Sequence, residues 1–233
     1  MTTQTVTDRK RSMRLYARDI MTSAVVTARP DTTVKDLVAL MVTRRISGVP
    51  IVTQAHELVG IVTEGDLLYK EVLPKPAEPA AIVQRLPIPG ITEAAERARK
   101  AEGLRADEVM TTPVLTVTEA ATVHEIATLM VKHKINRVPV LRAGRVVGIV
   151  SRADVLKAFR RSDAELIETI RGSLLHDLWL DTARIILDVR EGIVYLHGQL
   201  DRRSETELVE KWVGMADGVV GVRSRLTYEV DDR

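Results

Sequence analysis

The stretch ISGVPIVTQAHELVGIVTEGDLL, residues 46–68, returns later in the chain as INRVPVLRAGRVVGIVSRADVL, residues 135–156. Pro50 aligns with Pro139 and Gly60 with Gly148, and the second copy is one residue shorter in the turn between them. In each copy a short apolar run (Val49–Val52 or Val138–Leu141) leads through a polar turn, QAHE or RAGR, into a second apolar run (Leu58–Val62 or Val146–Val150). Two such runs joined by turn residues read as a β-hairpin. Thr63-x-x-Asp66 and Ser151-x-x-Asp154 follow and place a hydroxyl and a carboxylate at the start of a helix.

Outward from the hairpins the repetition continues. Met21 matches Met110, and Asp31 or Glu119 precedes a helical stretch. Val34, Leu37, Met41 and Ile46 fall near helical spacing in the first copy, and Val123, Ile126, Met130 and Ile135 do so in the second. Met41 and Met130 are packing residues on this reading. The repeated unit is β-α-β-β-α, and duplicated units of this length bury a face against each other.

The copies are separated by KPAEPAAIVQRLPIPG, residues 75–90, whose prolines reject a regular helix. ITEAAERARKAEG, residues 91–103, then reads as a charged helical stretch closed by Gly103, a connecting strap. Beyond Arg161 the pattern changes to helix, two alternating strands about Glu191-Gly192, helix and strand. This αββαβ order suits a small α+β domain with an antiparallel sheet, with Trp179 and Trp212 as core residues of its helices.

At 233 residues the chain suits two or three small domains. With one Phe, two Trp and four Tyr, its core must be largely aliphatic. The absence of cysteine excludes disulfides, thiolate metal sites and thiol nucleophiles. The first residues lack the apolar run of a secretory signal and no stretch suits a bilayer span, so a cytoplasmic location is expected. The formal net charge of +2 hides an acidic end: residues 163–233 hold nine Lys and Arg against fifteen Asp and Glu. The dense basic run of Arg9, Lys10, Arg11 and Arg14 reads as a solvated, flexible tail over residues 1–14. Without interleaved aromatics it gives no reason to expect a nucleic-acid partner.

Of the histidines (His56, His124, His133, His176 and His197), His124 and His133 lie nine apart and neither has a paired acid at metal-ligand spacing. HExxH, phosphate-loop and nucleophile-elbow motifs are absent from the sequence. No catalytic residue and no metal site are expected, and the chain is read as a non-enzyme.

Three markers, in order and twice over, carry a family resemblance: Asp19-Ile-Met-Thr22 with Asp107-Glu-Val-Met-Thr111, Ile46-Ser-Gly-Val-Pro50 with Ile135-Asn-Arg-Val-Pro139, and Gly60-Ile-Val-Thr-Glu-Gly-Asp66 with Gly148-Ile-Val-Ser-Arg-Ala-Asp154. The duplicated unit resembles the CBS domain and the two copies a CBS pair, or Bateman module. The tail resembles the BON domain through Val189-Arg-Glu-Gly-Ile-Val-Tyr-Leu-His-Gly198 and Ala216-Asp-Gly-Val-Val-Gly-Val222. The expected fold is therefore α/β with α+β: a pseudo-symmetric pair of β-α-β-β-α repeats and a small αββαβ domain. The boundaries are a first repeat at 15–72, a linker with a short helix at 73–105, a second repeat at 106–161 and a BON-like domain at 162–233.

The resemblance implies two pockets between the repeats. In each, an aspartate, Asp66 or Asp154, accepts from both ribose hydroxyls of an adenosine ligand. An ionised carboxylate at a helix start is an acceptor that two vicinal hydroxyls satisfy. Thr63 and Ser151 match the family's hydroxyl that contacts sugar or phosphate. By the same resemblance Asp154 and Ser151 face Thr22, Thr27, Ile46 and Ser47, while Asp66 and Thr63 face Thr111, Thr116, Ile135 and Asn136. Arg137 and Arg152 add positive charge toward phosphate, whereas Gly48 and Glu64 stand at the matching places of the first repeat. The Asp154 pocket is thus favoured for a phosphorylated ligand, with like-charge repulsion from Glu64 disfavouring the other.

The expected function is a regulatory module that binds AMP, ADP or ATP and relays occupancy to the tail or a partner, with no required cofactor. A dinucleotide or S-adenosylmethionine shares the ribose and stays open. A homodimer through the repeat helices and a protein partner for the tail are expected from the resemblance. Thr/Ser-x-x-Asp is also an ordinary helix cap, so a ligand-free dimerisation scaffold is an alternative. A phospholipid adaptor is another, although the tail's net acidity argues against anionic lipid.

Overall fold

The computed structural model of the chain describes residues 13–72, 100 and 103–233. In chain order the elements are α1 (Ala17–Ile20), α2 (Val34–Arg44), β1 (Gly48–Val52), β2 (Leu58–Thr63), α3 (Glu64–Val72), α4 (Ala106–Val109), β3 (Val117–Thr118), α5 (Val123–Lys132), β4 (Arg137–Arg142) and β5 (Arg145–Ser151). There follow α6 (Arg152–Ala158), α7 (Asp163–His176), β6 (Ile185–Arg190), β7 (Ile193–Arg202), α8 (Arg203–Gly214) and β8 (Gly221–Val230). The described residues fall into two compact units: those within 22–118 with 137–149, and those up to 21 with 119–136 and 150–233. The basic run Arg9–Arg11 and nearly all of the linker lie outside the described residues.

In the first unit, α2 starts where the Thr33 side chain accepts from the Asp36 N–H, and it ends at Arg45, which takes a left-handed φ of 53°. Its inward residues Leu37 and Met41 pack with Ala28, Val49, Ile51, Val62, Ala106 and Val109. Each fully buried aliphatic side chain in such a cluster stabilises by about 1.5–3 kcal/mol. β1 and β2 pair antiparallel from Gly48↔Thr63 to Ile51↔Gly60, and the register then shifts between Ile51 and Val52. That irregularity sits beside the longer first turn, where an extra residue must be absorbed. A Cβ on Gly60 would lie 2.2 Å from the Met110 sulfur, so close approach of α4 requires glycine there.

The strand expected ahead of each helix is short. In the second repeat it is β3, parallel to β4 with Val117 opposite Val140. In the first it is a single parallel bridge, Ala28 to Ile51, with Ala28 N–H donating to Pro50 O at 3.1 Å and Val52 N–H to Ala28 O at 2.9 Å.

The second unit carries α7-β6-β7-α8-β8, the αββαβ order read from the sequence. β6 and β7 form an antiparallel hairpin about Glu191 and Gly192, both at positive φ (50° and 75°) as a tight primed turn requires. β8 lies parallel to β7. The sheet is therefore mixed, a correction to the antiparallel expectation: α8 acts as a crossover that returns β8 in the direction of β7. Ile185, Leu187 and Val189 of β6 and Val194 and Leu196 of β7 pack against Leu166, Ile170, Leu174, Val209 and Val213 of the helices.

Trp212 packs against this core and its indole N–H donates to Ser173 Oγ at 2.9 Å. Trp179 does not: α7 ends at His176, and Trp179 sits beyond it at a φ of 56° and 88% exposed. The tail expected to run through residue 14 also joins the fold earlier, because Met13 is buried in the same core. Met13 O accepts from Asp217 N–H at 2.9 Å, Leu15 O from Val123 N–H at 2.9 Å, and Ala17 N–H donates to Ala121 O at 2.7 Å.

Candidate functional site

The second repeat's aspartate sits at the start of α6. Asp154 is 6% exposed, and its Oδ2 accepts from Ser151 N–H at 3.0 Å and Ser151 Oγ at 2.6 Å. Asp154 N–H donates back to Ser151 Oγ at 3.3 Å, which completes a capping box. Among the described residues, Oδ1 accepts from the Lys157 ammonium at 2.7 Å, and that lysine side chain is 65% exposed. Burial pushes the Asp154 carboxyl up, but the hydrogen bonds from Lys157 and Ser151 outweigh it and leave the group below the ordinary carboxylate range. It is an ionised acceptor at neutral pH with one oxygen committed to the cap.

Asp66 repeats the first half of this pattern. Its Oδ2 accepts from Thr63 N–H at 2.9 Å and Thr63 Oγ1 at 2.8 Å. Its Oδ1 is met differently. Lys100 Nζ approaches at 2.6 Å and the Thr111 hydroxyl at 3.0 Å, while Lys100 Nζ also donates to Thr111 Oγ1 at 2.8 Å. The side chains of Lys100 and Asp66 are 7% and 8% exposed. Thr111 is held there by paired backbone bonds to Ile61, at 3.2 and 2.8 Å. The matching threonine, Thr22, makes the same antiparallel pairing with Ile149, at 3.0 and 3.1 Å.

Arg137 lies half-buried at the start of β4. Its guanidinium donates to Ser47 Oγ, and its side chain covers Gly48 so closely that a Cβ there would meet Arg137 Cδ at 2.6 Å. Burial lowers the Arg137 pKa, opposed by the charge of Glu64. Glycine at position 48, read from the sequence as a missing arginine, is thus the space that Arg137 fills. Ile46 packs partly buried on the first unit's core.

Of the residues named from the sequence, Asp66, Thr63 and Thr111 are brought together, as are Arg137 and Ser47, and Ser151 and Asp154. Thr22, Thr27, Thr111 and Thr116 belong to the first unit; Ile135, Asn136, Ser151, Arg152 and Asp154 belong to the second. Thr116 lines a cavity of about 540 Å³ with Leu58, Val59 and Pro113. Arg152 is exposed at the first turn of α6. Lys100 was missed, because nothing local in a charged helical stretch marks one lysine for burial. Among the described residues no group of three or more His, Asp or Glu is placed to hold a metal, and no helix is long and apolar enough to cross a membrane.

The CBS domain family matches residues 17–72 and 106–161, and the BON domain family matches residues 162–229. The uncharacterized protein MJ1426 of Methanocaldococcus jannaschii is 30% identical over 154 residues, which cover 62% of this chain and 90% of that protein. The chloroplastic CBS domain-containing protein CBSX2 of Arabidopsis thaliana is 26% identical over 138 residues, 56% of each. A solved structure of CBSX2 in complex with AMP superposes with a TM-score of 0.52 at 26% identity, covering 61% of this chain and 94% of that one. The chain belongs to the CBS-domain family, as a CBS pair followed by a BON domain.

Proposed function

We propose that the protein is a non-catalytic regulatory module that binds an adenosine nucleotide at its CBS pair, with Asp154 as the ribose acceptor, and relays occupancy to the BON domain or a partner. The observation that carries this reading is the state of Asp154. Its carboxylate is buried, ionised and held rigidly by Ser151, while Oδ1 meets an exposed lysine that a ribose hydroxyl can displace. The AMP bound by CBSX2 supports the ligand class. Arg152, exposed in the first turn of the same helix as Asp154, supplies positive charge that favours a phosphorylated adenosine. Relay requires that the ligand bind two arrangements of the chain with different affinity.

Calorimetric titration with AMP and ATP tests it. Wild type gives saturable heat. Asp154→Ala removes hydrogen bonds to a charged group worth about 1.5–3 kcal/mol and weakens binding at least about tenfold. Undiminished binding by a folded Asp154→Ala variant excludes this aspartate as the acceptor.

A homodimer through the CBS helices is supported by a separate feature. Val38, Val42 and Leu68 line an apolar groove of about 920 Å³ between α2 and α3, with Val42 72% and Leu68 61% exposed. Exposed apolar surface of this kind marks an interaction site. Lysine at both Val42 and Leu68 is expected to halve the mass measured by light scattering.

A further inference from the structure

We infer that Lys100 is the residue that sets nucleotide stoichiometry: it occupies the first repeat's ribose acceptor from within the chain, leaving Asp154 as the acceptor open to ligand. This rests on the nucleotide reading above and deepens it.

Both repeats retain the aspartate, so sequence symmetry calls for two ribose sites. The side chains around them are not symmetric. A carboxylate offers roughly four acceptor positions. At Asp66 four donors are in place: Thr63 N–H and Thr63 Oγ1 on Oδ2, and Lys100 Nζ and the Thr111 hydroxyl on Oδ1. The Oδ1 donors stand where vicinal hydroxyls would have to bond. The ammonium is 2.6 Å from Asp66 and 2.8 Å from Thr111, so it bridges two groups that the sequence assigns to one pocket. A hydroxyl pair must displace a buried cation and leave it without its counter-charge, which opposes binding strongly. At Asp154 the corresponding lysine, Lys157, is 65% exposed against 7% for Lys100, so it retires into water on displacement.

The difference has a local origin. Lys157 lies one turn along the same helix as its aspartate, whereas Lys100 is delivered from 34 positions away, ahead of Gly103 and α4. Gly103 allows the close approach that follows: a Cβ there would lie 2.8 Å from both Glu108 Cβ and Val109 Cγ1.

The test is AMP titration by calorimetry of wild type, Lys100→Met, Lys100→Met with Asp66→Asn, and Asp154→Ala, each checked for folding by circular dichroism. The expectation is one AMP per chain in wild type, lost in Asp154→Ala, and two in Lys100→Met, the second lost again with Asp66→Asn. A folded Lys100→Met that still binds one AMP overturns the inference, as does a wild type that already fills an Asp66-dependent site. If wild type binds nothing, the Asp154 reading fails by itself. Asp66-dependent binding gained by Lys100→Met then still upholds the role of Lys100, and no gain overturns it. Should Lys100→Met not fold, Lys100→Ala removes the donor to Asp66 with a smaller side chain, and the same gain or lack of gain decides.

Discussion

Single residues here carry charge states that pH can read. Asp217 is half-buried, and burial pushes its carboxyl above the ordinary range despite the hydrogen bond from Leu15 N–H and the charge of Arg161. Between the ordinary carboxylate value and the raised one, the folded chain holds a proton that the unfolded chain has already released. Stability falls as pH rises from the ordinary carboxylate value through the raised one. A melting-temperature series from about pH 4 to 7 shows this decline, and Asp217→Asn flattens it. Asp154 has the opposite sign: its lowered value gives stability that is full above the ordinary carboxylate value and is lost only as pH falls through the lowered one. Gly198 is a steric case, at a φ of 142° with Arg184 O only 2.1 Å from where a Cβ would stand. Gly198→Ala is expected to cost about 2–3 kcal/mol, read as a lower denaturation midpoint with unchanged slope. Asp66, Asp154 and their hydroxyl partners were legible because each pair is local, three positions apart. Lys100 and Asp217 were not, because their partners are distant in sequence and a lone Lys or Asp reads as solvated.

At the level of elements, helix starts are written locally and strand directions are not. Thr122 with Glu125 and Ser162 with Glu165 form reciprocal capping boxes at the starts of α5 and α7. Ser162→Ala is expected to destabilise by about 1 kcal/mol, seen as a small drop in the melting temperature. α8 keeps the local half of this pattern, with Glu205 accepting from Asp201 N–H and Arg202 N–H at 3.2 Å each, and adds a distant acceptor. Its first turn is met by Asp232, which accepts from Ser204 N–H at 3.0 Å and Ser204 Oγ at 2.6 Å, so a residue beyond β8 supplies the acceptor. The sequence offers no sign of that arrangement. The hairpins, by contrast, were announced by their turns, and the one-residue difference between the copies shows as the bulge at Ile51 and Val52. The parallel course of β8 was missed because alternation of apolar residues is the same for either direction. The helix of 12 residues between β7 and β8 was the available clue to a crossover.

For the molecule as a whole, the compact units are not contiguous in sequence. The repeat boundaries follow sequence similarity, whereas the units follow packing, which gathers the α5 and α6 helices of the second repeat with the BON domain. Met13 makes the point within that second unit, since it fills the core otherwise built from residues 166–216. Met13→Ala is expected to destabilise this unit by about 2 kcal/mol. A fragment of residues 162–233 alone should lose at least as much, measured by urea unfolding against the intact chain. The bond from Leu15 to Asp217 spans 202 positions. A ribosome delivers Leu15 well before Asp217, so Met13 stays uncovered while the residues between them are made. A message cut short before codon 217 therefore yields a chain whose early segment lacks this acceptor, with Met13 left as exposed apolar surface until the later core residues arrive.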